Sequence, residues 1–198
     1  MERKYQLGPT PGELARTIEV HQTTLPGVLK IKRSITPDHR GYYGELYNTN
    51  IYRAHGITVE FIEQNGSFSI KGTLRGLHGD SKTWKLITCL YGEIYLVVLN
   101  YNPASEYFGK WEAFTLTPEN SWQVLIPPRY CNGHLVMSDH ALFHYNQSQH
   151  YSGPEIQNVI KWDDPRFSIK WPPIPTETGI PILSHRDKYG ISYTPRKI

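Results

Sequence analysis

The densest chemistry in the chain lies in Lys71-Gly-Thr-Leu-Arg75-Gly-Leu-His78-Gly-Asp-Ser-Lys-Thr-Trp-Lys85, which places an imidazole, several cations and a carboxylate within fifteen residues. An imidazole titrates near neutral pH, so His78 is the natural proton acceptor of the stretch, and Arg75 and Lys85 suit an anion. The competing reading is an exposed hairpin with solvated charges. Gly72, Gly76 and Gly79 weaken a strand, and they fit bulges or the close approach of a ligand. Strict alternation puts Arg75 and His78 on opposite faces of a strand. Both face one pocket only if Gly76 sits at a bulge.

Two further segments carry groups of interest. In Ala141-Leu-Phe-His-Tyr145-Asn-Gln-Ser, Ala141, Phe143 and Tyr145 share one face, and the small and aromatic residues suit an interior. That face would place the Tyr145 hydroxyl inside, where it needs a partner. It reads equally as a structural tyrosine bonded to backbone. In Lys161-Trp-Asp-Asp164-Pro, the proline holds Asp164 extended and could aim it inward, or the segment is a surface turn. Nine histidines raise the question of a metal, but no His-x-His pair occurs and His134, His140, His144 and His150 are irregularly spaced. No metal is expected. No nucleophile triad and no phosphate-binding glycine loop leading into a helix is present.

The elements that must position these groups are short strands. β-Branched and aromatic runs recur about every ten residues from Val28: Val28–Ile35, Val59–Ile62, Ser67–Leu77, Lys85–Leu90, Ile94–Asn100, Ala113–Leu116, Trp122–Ile126, Leu135–Met137 and Ala141–Ser148. Turn signals separate them, among them Asn65-Gly66, Gly79-Asp80 and Tyr91-Gly92. This spacing predicts an all-β sandwich or barrel and excludes a doubly wound sheet. Residues 1–27 read as an N-terminal extension in which Glu13 to Val20 could form two helical turns. Residues 28–188 read as the domain and 189–198 as a tail. The Pro-rich run from Trp171 should lie extended over the barrel.

Composition narrows the class. The chain has 198 residues and 13% aromatics, and its 21 Lys and Arg are scattered among 18 Asp and Glu for a net charge of +3. That balance is too mild for nucleic acid. No apolar run is long enough to span a membrane, and the polar start lacks a secretory h-region. Two cysteines, Cys89 and Cys131, without a Cys-x-x-Cys spacing suggest a reducing, cytoplasmic setting.

Taken in order, these segments resemble the nucleotide-sugar 3,5-epimerase family, whose best-known member acts on dTDP-4-keto-6-deoxyglucose. The matching runs are Asp38-His-Arg40-Gly41 with Glu45, Asn65-Gly-Ser67, Lys71 to His78, Lys85-Leu-Ile, Gly92-Glu93 and Phe108-Gly-Lys-Trp111. They continue with Pro118-Glu-Asn120, Ile126-Pro-Pro, Trp162-Asp-Asp164-Pro, Ile169-Lys-Trp171-Pro and Leu183-Ser184…Asp187. The resemblance implies a cofactor-free, metal-free cupin-type jelly roll that forms a homodimer. It implies His78 as the base beside the keto group, Asp164 as the carboxylate orienting it, Lys85 beside the enolate oxygen and Tyr145 as the acid on the opposite face. It implies Arg75 as a diphosphate ligand, Arg40 as one reaching in from the partner subunit, and Tyr151 as a second pocket tyrosine. Glu45, Glu63, Asn65 and Asn132 fall at substrate-binding positions.

Departures are localised. Gly79-Asp80 replaces the family's Tyr-Gln after the histidine, Glu63 replaces a glutamine, Asn132 replaces a histidine and Asn146 replaces a lysine. The run from His78 to Glu93 is similar to a subgroup associated with GDP-4-keto-heptose epimerases. The resemblance thus implies inversion of carbon 3, carbon 5 or both in a nucleotide-linked 4-keto-6-deoxy hexose or heptose. A metal-dependent cupin dioxygenase and an inactive nucleotide-sugar-binding module are the alternatives.

Overall fold

The computed structural model describes residues 17–190. Its strands in chain order are β1 (Ile18–Gln22), β2 (Leu29–Arg33), β3 (Thr36–Asp38), β4 (Gly41–Tyr43), β5 (Glu63–Ile70), β6 (Leu74–Gly79) and β7 (Lys85–Tyr91). They continue as β8 (Ile94–Asn100), β9 (Trp111–Leu116), β10 (Trp122–Ile126), β11 (Tyr130–Val136), β12 (His140–Gln147) and β13 (Asn158–Val159). Two short helices, α1 (Thr49–Ala54) and α2 (His185–Tyr189), complete the set with a 3-10 turn at Pro154–Ile156. A six-stranded sheet, β1-β2-β10-β7-β12-β5, faces a five-stranded sheet, β13-β6-β11-β8-β9, and every pair within them is antiparallel. The expected all-β cupin-type jelly roll is the fold observed.

Alternation places the core. Ile87 and Cys89 of β7, Val124 and Ile126 of β10, and Ala141 and Phe143 of β12 point inward. They meet Ile94, Leu96 and Val98 of β8 and Tyr130 and Val136 of β11 from the opposite sheet. Both outer faces are covered as well. Tyr52 of α1 and Ile57 pack on Ile31, Leu86 and Leu125, while Ile160 and Phe167 pack on Leu77, Val97, Leu99 and Cys131. Strands buried on both sides read as continuous apolar runs, which is why β8 and β10 match their predicted limits.

Several expectations change. Ile18–Gln22 is a strand paired to β2 along its whole length, so the helical turns give way to sheet there; the rest of that segment, to residue 16, lies outside the described residues. Val59–Ile62 is loop. The run Ser67–Leu77 is two strands, β5 and β6, divided where Gly72 takes φ +78. Asn65-Gly66 is no turn; both residues lie inside β5, paired with Tyr145 and His144 of β12.

The glycines of β6 admit close backbone approach. A Cβ on Gly79 would sit 2.0 Å from the Tyr130 carbonyl oxygen, and one on Gly76, at φ +115, would sit 2.5 Å from the Gly133 Cα. The neighbour demanding the space is strand β11, not a ligand. Gly76→Ala is therefore expected to destabilise the fold by about 2–4 kcal/mol, from left-handed strain plus overpacking. Urea unfolding within about 0.5 kcal/mol of wild type would contradict this.

Candidate active site

A bulge turns β6 toward the cavity. Asn132 pairs with His78 and His134 with Arg75, so three steps along β6 match two along β11. The extra residue puts Arg75 and His78 on one face, as the glycine argument required. Inward alternation supplies Lys85 from β7, two residues before Ile87 and four before Cys89. It supplies Tyr145 from β12, following Ala141 and Phe143, and Asn65 and Ser67 from β5 opposite Tyr145 and Phe143. These side chains line a cavity of about 420 Å³ that also takes in Asn132, His134, Tyr151, Arg186 and Asp187.

The carboxylate beside His78 is Asp187. The His78 Nε2 lies 2.6 Å from the Asp187 Oδ1, and Asp187 is 3% exposed. Asp164 does not fill this role. It lies outside the cavity lining and its carboxylate is clamped by Arg166, which donates its backbone N–H at 3.0 Å, Nε at 3.0 Å and Nη2 at 2.6 Å. The Asp164-Pro165-Arg166 turn closes on itself, and those charge-assisted bonds leave Asp164 below the usual carboxylate range.

Two local devices bring Asp187 into place. Ile182 joins the start of β6: its N–H donates to the Gly72 carbonyl at 2.9 Å, and its carbonyl accepts from the Leu74 N–H at 3.0 Å. Ser184 then caps α2, accepting from the Asp187 N–H at 3.1 Å and donating its hydroxyl to Asp187 Oδ2 at 2.8 Å. Burial pulls the Asp187 carboxyl upward, but hydrogen bonds from His78, Ser184 and the Gly76 N–H outweigh it and hold it below its ordinary value. An ionised carboxylate only accepts, so the His78 Nε2 is the donor, and a neutral ring then has its lone pair on Nδ1.

Lys85 is buried, and its partners are neutral oxygens: Asn132 Oδ1 at 3.2 Å and the His78 carbonyl at 3.5 Å. Burial lowers its pKa, countered in part by the Asp80 carboxylate. Tyr145 is pushed above the usual phenol range by burial first, then by Glu63 and Tyr151.

His134 was not singled out in the sequence. Its ring stacks on Phe143 at 4.0 Å and an interplanar angle of 9°, and Nε2 has no hydrogen-bond partner among the described residues. Burial lowers its pKa to about 3. The unfolded chain takes up this proton near pH 6.5, so stability is complete above that pH and falls as pH drops toward 3. His134 alone should cost about 1.4 kcal/mol per pH unit across that window. His134→Phe keeps the stacking ring and is expected to show a shallower loss between pH 6 and pH 4 in urea titrations; parallel slopes would contradict it.

Of the expected site residues, the fold gathers His78, Lys85, Tyr145, Arg75, Asn65, Asn132 and Tyr151 around one cavity. Like Asp164, three others lie outside this cavity's lining. Arg40 is exposed between β3 and β4 and pairs with Asp38. Glu45 lines a separate crevice with Arg33 and Tyr47. Glu63 opens β5 and holds neighbouring protein groups rather than lining the cavity. Besides His134, sequence reading missed Arg186, whose Nη2 donates to Gln157 Oε1 at 3.0 Å, and the role of Asp187. The signal for Asp187 is the Ser-x-x-Asp spacing of a helix start. Among the described residues no three His, Cys, Asp or Glu side chains group as metal ligands, and no helix is long and apolar enough to cross a membrane.

The chain is similar to known proteins over most of its length. The family model for dTDP-4-dehydrorhamnose 3,5-epimerase matches residues 22–194. The Escherichia coli dTDP-4-dehydrorhamnose 3,5-epimerase is 35% identical over 175 residues, covering 86% of this chain and 92% of its own. The Legionella pneumophila dTDP-6-deoxy-D-glucose-3,5-epimerase, solved with dTDP-4-keto-L-rhamnose, superposes with a TM-score of 0.80 at 33% identity, covering 87% of this chain and 91% of that one. ChmJ, a 3'-monoepimerase from Streptomyces bikiniensis solved with dTDP-quinovose, gives 0.77 at 26% identity, covering 86% and 85%. With that family model matching most of the chain and a 35% identical relative covered over most of both lengths, this chain belongs to the dTDP-4-dehydrorhamnose 3,5-epimerase family.

Proposed function

We propose that the protein inverts carbon 3, carbon 5 or both of a nucleotide-linked 4-keto-6-deoxy sugar, with His78 as base and Tyr145 as acid. The observation carrying this reading is the His78–Asp187 pair facing the same cavity as Lys85 and Tyr145. His78 Nδ1 takes the proton from the carbon next to the keto group, and the electron pair moves to the keto oxygen as an enolate. Asp187 stabilises the imidazolium that results. Lys85, desolvated and without a carboxylate in contact, meets its full counter-charge only when the enolate forms, so its attraction is strongest in the transition state. Tyr145 then donates its proton to the opposite face of the carbon. The sugar keeps its oxidation state, so the step balances without a redox cofactor. Arg75, with its Nε on Ser69 Oγ at 3.0 Å, suits the diphosphate. The buried free thiols of Cys89 and Cys131 are in keeping with a cytoplasmic setting.

The test is incubation with dTDP- and GDP-linked 4-keto-6-deoxy sugars in deuterated water, locating the label by NMR. Deuterium at carbon 3 or 5 of an inverted product is expected. Absence of exchange with every such sugar would overturn the reading.

The functional unit is inferred to be a homodimer. Strand β5 is a sheet edge that exposes Phe68 and Ile70 beside Tyr91, an arrangement that favours pairing. Arg40, outside its own chain's cavity lining and exposed on the β3–β4 hairpin beside Asp38, would complete a partner's site. Mixing His78→Asn and Arg40→Ala chains, each expected to be inactive alone, should restore activity because a hybrid dimer holds one intact site. No recovery in mixtures shown to form hybrids would contradict the composite site.

A further inference from the structure

Glu63 begins β5, and its carboxylate is satisfied by the protein. Oε1 accepts from Asn65 Nδ2 at 2.7 Å and from Gln147 Nε2 at 2.8 Å. Oε2 accepts from the Tyr151 N–H at 3.2 Å and lies 3.2 Å from His150 Nδ1. Asn65 stands opposite Tyr145 in the β5–β12 register, Gln147 ends β12 two residues beyond Tyr145, and Tyr151 is at the cavity wall. One side chain thus ties together the pieces of backbone on either side of the phenol. All four partners can donate, so a carboxylate with two accepting oxygens fits where a glutamine would turn an NH2 group against them.

We propose that Glu63 is a positioning residue, a carboxylate clasp that fixes Tyr145 through Asn65 and the end of β12 and holds Tyr151 at the cavity wall. This rests on the reading of Tyr145 as proton donor. Hydrogen bonds from Asn65 and then the Tyr151 N–H lower the Glu63 pKa, so the clasp is anionic at neutral pH. Its charge also raises the Tyr145 pKa, after the larger effect of burial, which keeps the phenol a donor. A clasp of this kind acts on reprotonation and leaves proton removal by His78, on the far strand β6, largely untouched.

The experiment compares wild type, Glu63→Gln and Glu63→Asp with dTDP-4-keto-6-deoxyglucose and the corresponding GDP-linked sugars in deuterated water. It scores solvent deuterium incorporated and inverted product formed in each reaction. Amide hydrogen exchange of residues 148–153 is followed in parallel. In Glu63→Gln the ratio of inversion to exchange should fall about 10-fold, the loss of one aligned proton transfer being only partial. Protection of the Tyr151 amide should drop with it. Glu63→Asp keeps the charge with a shorter reach and should lie between; it supplies the reading if the glutamine variant does not fold. An unchanged ratio, or exchange and inversion falling in step, overturns the positioning role. Wild type that neither exchanges nor inverts any of these sugars overturns the epimerase reading and the inference with it.

Discussion

His78→Asn is expected to fold as the wild type and to lose solvent proton exchange by at least ~100-fold. The fold survives because Asp187 keeps its hydrogen bonds with Ser184 and the Gly76 N–H, so no buried carboxylate is orphaned. Activity does not survive, because an amide has no lone pair of comparable basicity. Asp187→Asn separates the two members of the pair. Its amide can offer N–H groups to His78 Nε2, which then becomes the acceptor and leaves the proton on Nδ1, where the base should be. Serine-protease triads lose about 10⁴-fold in kcat when the equivalent tautomer is reversed, so a loss comparable to that of His78→Asn is expected. Near-normal deuterium incorporation by either variant would move the base elsewhere.

What the sequence made legible follows from what is local. Tyr145 was placed correctly inside because alternation along β12 is a local property: Ala141, Phe143 and Tyr145 face the core together. The Arg75–His78 conflict was legible as a conflict, and the bulge at Gly76 resolves it. Strand β11 was read short, at Leu135–Met137, because Cys131-Asn-Gly-His looks like a loop by propensity. In the fold it is fully buried strand, with Asn132 and His134 turned to the cavity and Cys131 turned to the outer cluster. Polar residues inside a central strand defeat propensity where they serve a site. The resemblance pointed to Asp164 as the carboxylate beside His78, and the position belongs to Asp187. Nothing in the sequence shows that Arg166 closes on Asp164, or that Ile182 docks on the start of β6, more than a hundred positions away in the chain.

Tyr145→Phe is expected to separate exchange from inversion. The ring sits beside Phe143, at a centroid distance of 5.4 Å, and the substitution keeps that packing while removing the hydroxyl. Asn65 retains Glu63 as a partner, so its amide is not left unpaired, and thermal stability should change little. His78, Asp187 and Lys85 are untouched, so the enolate still forms. With no donor on the opposite face, it takes its proton back from the imidazolium or from solvent on the His78 side. The starting sugar should therefore gain deuterium while inverted product falls by about 100-fold or more, the scale of a lost general acid. Deuterium content and product ratio measured in one reaction decide the matter. Full epimerisation would assign the acid to Tyr151 or to a bound water. Loss of exchange together with inversion would mean that Tyr145 holds the sugar in place for His78, since a residue acting only as proton donor has no influence on the step before it.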